Sequence, residues 1–179
     1  MIAFLRDTLI TFTIAAIIFF GLQSTVQTFI INGPSMSPSF HNDQRLLVSK
    51  VVYKFQEPAR GDVIIFHPPP ENGRGDYIKR IIGLPGETIE IKEGKVYIHS
   101  EDNNMVALDE PYTKGRDKDT FKGDKIPENQ YFVLGDNRIN STDSRNGWTL
   151  PAQDIIGKAW LSIWPSDKWG RAANHSFQE

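Results

Sequence analysis

A charge-free N-terminal stretch constrains this chain more than any other feature of its sequence. No Asp, Glu, Lys or Arg occurs between Asp7 and Asp43, and residues 8–22 are mainly apolar. A helix needs about 20 mainly apolar residues to cross the hydrocarbon core of a bilayer, and residues 3–24 supply that length. The stretch therefore predicts one transmembrane helix, with Arg6 and Asp7 near one interface.

A cleaved signal peptide is the alternative interpretation of the same residues. Its apolar core of about 7–15 residues would precede a small-residue cleavage site. The segment that follows here, Gln-Ser-Thr-Val-Gln, contains no Ala-x-Ala-like site, which favours a retained anchor. Because Arg6 and the amino group precede the apolar segment, the N-terminus is expected in the cytoplasm and the rest outside. We expect a single-pass protein of the cell membrane.

The remainder of the chain predicts a mainly β fold. Residues 1–28 are expected to form a cytoplasmic stub and anchor, and residues 29–179 one extracytoplasmic domain. Short β-branched and aromatic runs alternate with Pro- and Gly-containing turns, which is typical of short strands. The predicted strands are residues 45–55, 63–66, 77–84, 131–134 and 155–164, with a hairpin of 88–92 and 95–99. Residues 100–128 are polar and predict a surface excursion.

Composition excludes several function classes. Lys plus Arg number 20 and Asp plus Glu number 22, so no strongly basic face is expected and nucleic acid is not an expected partner. The absence of cysteine excludes disulfides, thiolate metal sites and a cysteine nucleophile. The four histidines lack metal-binding spacing such as H-E-x-x-H. We therefore expect neither a metal nor a cofactor.

Two segments carry candidate catalytic residues. The run Gly33-Pro34-Ser35-Met36-Ser37-Pro38 predicts a rigid turn that presents Ser35, although serines also populate turns without any function. On a strand through residues 77–82, Lys79 would share a face with Tyr77 and Ile81. Apolar surroundings lower the pKa of a lysine, and a neutral amine beside a hydroxyl can act as a general base. The alternative is an edge lysine whose amine reaches water.

The sequence also offers four histidines as alternative bases and a polar loop as a support. His41, His67, His99 and His175 all lie in stretches that would not bury and orient a ring, so a Ser-His-Asp arrangement is disfavoured. The loop of residues 135–145 is rich in short hydrogen-bonding side chains. Its alternatives are a solvated turn, or a support in which Ser141 holds the lysine while Asp143 and Arg145 pair.

Together these segments resemble the type I signal peptidases, which are membrane-bound Ser/Lys endopeptidases. The matching motifs are Ser35-Met36-x-Pro38, Arg45-Leu46-Leu47-Val48 with Lys50, Arg60-Gly61-Asp62-Val63, residues 77–86 (YIKRIIGLPG) and residues 135–145 (GDNRINSTDSR). Each motif alone is weak, but the ordered set behind an N-terminal anchor is specific. It covers residues 8 to 164.

The resemblance implies a set of roles. Ser35 would be the nucleophile and Lys79 the general base, with Ser141, Asp143 and Arg145 as supporting residues. The implied fold is a largely antiparallel β domain on the outer membrane surface, in contact with lipid. The implied substrates are signal peptides of exported preproteins, cut after an Ala-x-Ala pattern through an acyl-enzyme. A substrate strand would be bound by Phe29, Ile31, Met36, Asp76, Tyr77 and Ile78.

The sequence departs from the family pattern at three places. Gly33 replaces a serine that completes the oxyanion hole in many members, Ile139 replaces an acidic residue, and residues 146–149 differ from the usual aromatic-Gly pattern.

Two other functions are alternatives to this hypothesis. Self-cleaving Ser/Lys repressors share the chemistry, but they are soluble proteins with a DNA-binding module. A non-enzymatic anchored β domain that binds exported proteins is the second rival, and it predicts that Ser35 and Lys79 lie far apart. The sequence leaves the oligomeric state open.

Overall fold

The computed structural model describes residues 2–73, 75–100, 102, 104–113 and 120–177. Helix α1 spans Ile2–Thr25, and its segment Arg6–Thr25 has a mean hydropathy of 1.7 with no part of the assessed window buried. Thr11 and Thr13 donate their hydroxyl hydrogens to carbonyls four residues earlier, which satisfies polar groups in an apolar segment. The predicted helix is confirmed, and it is long and apolar enough to cross a membrane.

The described residues form two antiparallel sheets. The strands are β1 (Val26–Ile30), β2 (Arg45–Ser49), β3 (Val63–Phe66), β4 (Tyr77–Gly83), β5 (Thr88–Lys92), β6 (Lys95–His99), β7 (Met105–Ala107), β8 (Phe121–Lys125), β9 (Gln130–Leu134), β10 (Leu150–Pro151), β11 (Ile155–Trp164) and β12 (Gly170–Arg171). The large sheet has the order β1-β2-β11-β3-β4-β9-β10, with β12 paired to β11, and the small sheet has the order β7-β6-β5-β8. The mainly β, antiparallel prediction is confirmed.

Strand β3 lies at the centre of the packing. Val63 and Ile65 face one apolar cluster, while Ile64 and Phe66 face another. Burial on both sides of the sheet accounts for its unbroken apolar run. Strand β4 pairs with β3 in a register that sets Ile64 opposite Lys79, so Lys79 is carried on an interior strand of the large sheet.

The predicted strand 45–55 is wrong beyond Ser49. Strand β2 ends there, and Val52–Lys54 forms a short 3-10 turn that leaves Phe55 87% exposed. The apolar residues of this segment therefore do not all belong to one buried face. Strand β1 was not predicted, because it follows directly on the helix in the same uncharged stretch and only two of its five residues are even half-buried.

The described part of the polar segment 100–128 contains two strands that its composition does not predict. It contributes β7 and β8, which pair with β6 and β5 and widen the predicted hairpin into a four-stranded sheet. Phe121 packs against Phe132 with ring centroids 5.4 Å apart. Residues 101, 103 and 114–119 of this segment lie outside the described residues.

Candidate active site

The loop after β1 holds Ser35 just before two buried residues, Met36 and Phe40. Met36 is 0% exposed and Phe40 is 1% exposed, and the Phe40 N–H donates to the Met36 carbonyl at 2.9 Å. Gly33 has φ +91°, a left-handed conformation that glycine adopts without strain. The loop conformation therefore gives a reason for glycine at the position where a serine was expected.

Lys79 of β4 meets Ser35 in this structure. Its side-chain nitrogen Nζ lies 2.8 Å from Ser35 Oγ and donates to the Ile78 carbonyl at 3.0 Å. The same nitrogen lies 5.2 Å from the centroid of the Tyr77 ring, in keeping with the shared strand face. Lys79 is 4% exposed, so its side chain is almost entirely buried.

Burial sets the protonation of this amine. Removal from water disfavours the ammonium form and lowers the pKa of Lys79 from 10.5 to about 8. The negative charges of Asp143 and Asp136 oppose this change, because each favours the ammonium form. The amine is therefore substantially neutral in mildly alkaline solution, while a hydroxyl lies within hydrogen-bonding distance of it.

The loop after β9 supports the site through Asp143. This carboxylate is fully buried, accepts the Gly135 N–H at 3.1 Å, and lies 2.8 Å from Arg145 Nε. Arg145 also donates to the Arg138 carbonyl at 2.7 Å. The pairing of Asp143 with Arg145 that the sequence indicated is present, and it closes the loop on itself.

Asn137 and Gly135, which sequence reasoning missed, join this loop to the nucleophile segment. The Asn137 N–H donates to the Ser35 carbonyl at 3.0 Å, and its side-chain amide donates to the Pro34 carbonyl at 3.1 Å. A Cβ atom at Gly135 would lie 2.6 Å from the Ser35 carbonyl oxygen, so only glycine fits this close approach. The two loops are thus packed backbone to backbone.

Ser141 does not contact Lys79 through a hydrogen bond here. Its Oγ is buried and has no hydrogen-bond partner in the described part of the chain. The hydroxyl lies against Gly135, where an added Cβ would approach it to 2.2 Å. Its role in holding the lysine stays a prediction.

Arg80, the neighbour of Lys79, is buried and contacts several distant segments of the chain. These contacts could not be predicted from the sequence. Arg80 is 0% exposed, and its guanidinium donates to both carboxylate oxygens of Asp136 at 2.9 and 2.7 Å. It also donates to the carbonyls of Gly61 and Ala173, and it lies 3.9 Å from the centroid of the Tyr112 ring. An arginine within an apolar strand signals such a partner, because a buried charge must be paired.

Ser35 and Lys79 open into a cleft of about 520 Å³. Four predicted substrate-binding residues, Phe29, Asp76, Tyr77 and Ile78, line it. The other two, Ile31 and Met36, are 1% and 0% exposed and lie in the core beneath the loop. Asn32, Asn140 and Thr142 also line the cleft. Asn140 is one of the matching positions in the motif of residues 135–145, whereas only polarity marks Asn32 and Thr142 in the sequence.

Backbone edges flank this cleft. Strand β4 pairs with β9 only from Arg80 onward, so residues 77–79 have no strand partner on that side in the described structure. Strand β1 ends the sheet order and pairs only with β2. Among the described residues, no group of three His, Asp or Glu side chains could hold a metal. The arrangement suits an extended peptide held beside a hydroxyl and an amine.

Comparisons with known proteins agree on one family. The family model described as signal peptidase, peptidase S26, matches residues 4–164. A probable signal peptidase I-2 from Synechocystis sp. is 33% identical, covering 98% of this chain and 79% of the relative. Signal peptidase I U from Bacillus subtilis is 39% identical, covering 85% and 83%. A signal peptidase I crystal structure from Enterococcus faecalis is 34% identical with a TM-score of 0.48, covering 57% of this chain and 97% of that one.

Proposed function

Since the chain belongs to the signal peptidase family, peptidase S26, we propose that it removes signal peptides from exported preproteins with Ser35 as nucleophile and Lys79 as general base. One observation carries the residue assignment: the amine of the buried Lys79 lies 2.8 Å from the Ser35 hydroxyl. A non-enzymatic binding domain gives no reason for this contact. Helix α1 likewise disfavours a soluble self-cleaving repressor.

The first step is attack by Ser35 on the scissile carbonyl. Neutral Lys79 takes the hydroxyl proton as the Ser35 oxygen bonds to the carbonyl carbon, and the resulting ammonium then gives that proton to the leaving amine. This leaves an acyl-enzyme on Ser35 and releases the mature protein. Lys79 next takes a proton from water, whose oxygen attacks the ester, and returns that proton to Ser35 as the signal peptide departs.

The oxyanion of each tetrahedral intermediate needs donors. The Ser35 N–H makes no hydrogen bond within the described structure, so it is free to serve as one donor. Gly33 offers no side chain, and the polar side chains that line the same cleft are Asn32, Asn140 and Thr142. We assign the oxyanion chiefly to the Ser35 N–H.

Substrate binding follows from the free backbone edges. An extended signal peptide would add as a strand beside β1 and residues 76–78. Phe29, Tyr77 and Ile78 line the cleft and would form shallow apolar walls that accept Ala-sized side chains. Cleavage after Ala-x-Ala is the specificity that this geometry supports.

Helix α1 supports a location at the membrane, where exported preproteins emerge. We propose that residues 1–28 form the cytoplasmic stub and anchor, and that residues 29–179 form the catalytic domain on the extracytoplasmic side. The boundary falls within β1, which continues directly from α1. The cleft is therefore tethered close to the bilayer surface, where a signal peptide would be held.

The test is cleavage of a preprotein that carries an Ala-x-Ala site by the full chain in detergent. Ser35→Ala should abolish cleavage and leave the circular dichroism spectrum unchanged. Ser39→Ala is the matched control, because it removes a hydroxyl from the same loop without touching the assigned dyad. Cleavage by Ser35→Ala at the rate of the control would contradict the assignment.

A further inference from the structure

A contact between His67 and Asp76 closes the connection between β3 and β4 at the rim of the cleft. His67 follows the last residue of β3, and Asp76 precedes the first residue of β4. The two residues therefore oppose each other one position beyond the Phe66–Tyr77 pair. His67 Nδ1 lies 2.8 Å from Asp76 Oδ1, and the side chains are 66% and 30% exposed. The carboxylate is thus fixed in place and remains open to a ligand.

Asp76 also lines the cleft that contains Ser35 and Lys79. Among the described residues that line this cleft, Asp76 and Lys79 alone carry acidic or basic side chains. Lys79 is neutral in the form that accepts the Ser35 proton. A bound peptide therefore meets the Asp76 carboxylate as the acidic group of the described lining, with the His67 ring, which is charged only if protonated, 2.8 Å from it. Protein walls limit screening by water in this recess.

The distance along the strand indicates which part of a substrate meets this charge. Asp76 precedes Lys79 by three residues, which corresponds to about 10 Å of extended chain. A substrate strand paired with residues 76–78 would follow the same rise. With the substrate strand parallel to β4, the direction that this proposal takes, side chains between about two and five residues before the cleaved bond would lie near the carboxylate.

We propose that Asp76 selects substrates by charge, favouring signal peptides with a basic residue close to the cleavage site over those with an acidic one. This inference rests on the proposed function. A carboxylate repels a like charge and attracts an opposite one, and at a partly exposed site a difference of about tenfold in kcat/KM between the two substrates is expected. A His67–Asp76 contact that only closed the β3–β4 loop would give no dependence on substrate charge.

The test uses preproteins that differ at a single position, with Lys, Gln or Glu placed in turn from two to five residues before the cleavage site. The full chain in detergent should cleave the Lys substrate about tenfold faster than the Glu substrate, in kcat/KM, at one or more of these positions. Asp76→Asn should bring that ratio close to one. Asp167→Asn, which removes an exposed carboxylate from a turn outside the cleft lining, should keep the wild-type ratio.

Equal kcat/KM for all three substrates at every position would overturn the inference, as would an undiminished preference in Asp76→Asn. If that variant does not fold, the salt dependence of the wild type decides. The screening length falls from about 10 Å at 0.1 M salt to about 3 Å at 1 M, so the preference should shrink, and a constant preference would overturn the proposal. Cleavage without charge preference refutes this inference alone, whereas cleavage of no preprotein refutes the proposed function as well.

Discussion

Replacing Lys79 with methionine should stabilise the protein while it removes the proposed base. Burial lowers the pKa of Lys79 from 10.5 to about 8, and each pH unit corresponds to about 1.4 kcal/mol, so the charged form costs the folded state about 3 kcal/mol below pH 8. Methionine keeps the apolar contacts. It loses the hydrogen bonds to the Ile78 carbonyl and to Ser35 Oγ, which together offset about 2 kcal/mol. A net gain of about 1 kcal/mol remains.

The sign of the pH dependence follows from the direction of the pKa change. Between pH 8 and 10.5 the unfolded lysine binds a proton that the folded lysine does not, so wild-type stability rises with pH through this window. The advantage of Lys79→Met is therefore complete below pH 8 and is lost by about pH 10.5.

Thermal unfolding of the full chain in detergent, followed by near-ultraviolet circular dichroism, measures this effect. A gain of about 1 kcal/mol corresponds to a rise in Tm of roughly 2–4 °C at pH 6 for a chain of this size. Lys95→Met, at an exposed position of β6, is the control and should show no pH-dependent stabilisation. A Lys79→Met variant that is less stable than wild type at pH 6, or whose advantage is the same at pH 10, would refute a buried neutral amine.

Two substitutions in the loop after β9 test its support of the dyad. Gly135→Ala should lower kcat strongly, because the added Cβ would lie 2.6 Å from the Ser35 carbonyl oxygen and must displace the nucleophile segment. Kinetics of preprotein cleavage measures this effect. A wild-type kcat would contradict the close packing of Gly135 on Ser35. Asp143→Asn should move the acid limb of kcat/KM to lower pH, because the Asp143 carboxylate favours the ammonium form of Lys79. A pH-rate profile measures the direction of this change. A move of the acid limb to higher pH would contradict the prediction.

Part of the fold could be predicted from local patterns in the sequence. The β5–β6 hairpin has the predicted bounds, because alternation and the Glu93-Gly94 turn act within a few residues. Strand β11 is also as predicted. Strands β7 and β8 were missed because β7 is exposed along its length and β8 has no fully buried residue. Their pairing partners, not their own composition, hold them in the sheet.

The sequence allowed the candidate catalytic residues to be identified, but not most of the contacts that hold them in place. Strand alternation placed Lys79 with Tyr77, and the motif resemblance paired it with Ser35, 44 residues away. The partners of Arg80 come from the loop after β9, the turn before β3 and the C-terminal segment. No local pattern encodes such convergence, and neither does the docking of Asn137 on the nucleophile loop. These contacts depend on how the strands and loops are arranged in the fold, which brings distant segments of the chain together.

The pH dependence of kcat/KM for preprotein cleavage tests the central claim most directly, because it reports the pKa of the essential base in the free enzyme. With the pKa of Lys79 lowered to about 8, the acid limb should have its midpoint near pH 8, and activity at pH 7 should be about a tenth of the plateau. A midpoint near 10.5, the ordinary pKa of lysine, would contradict the account.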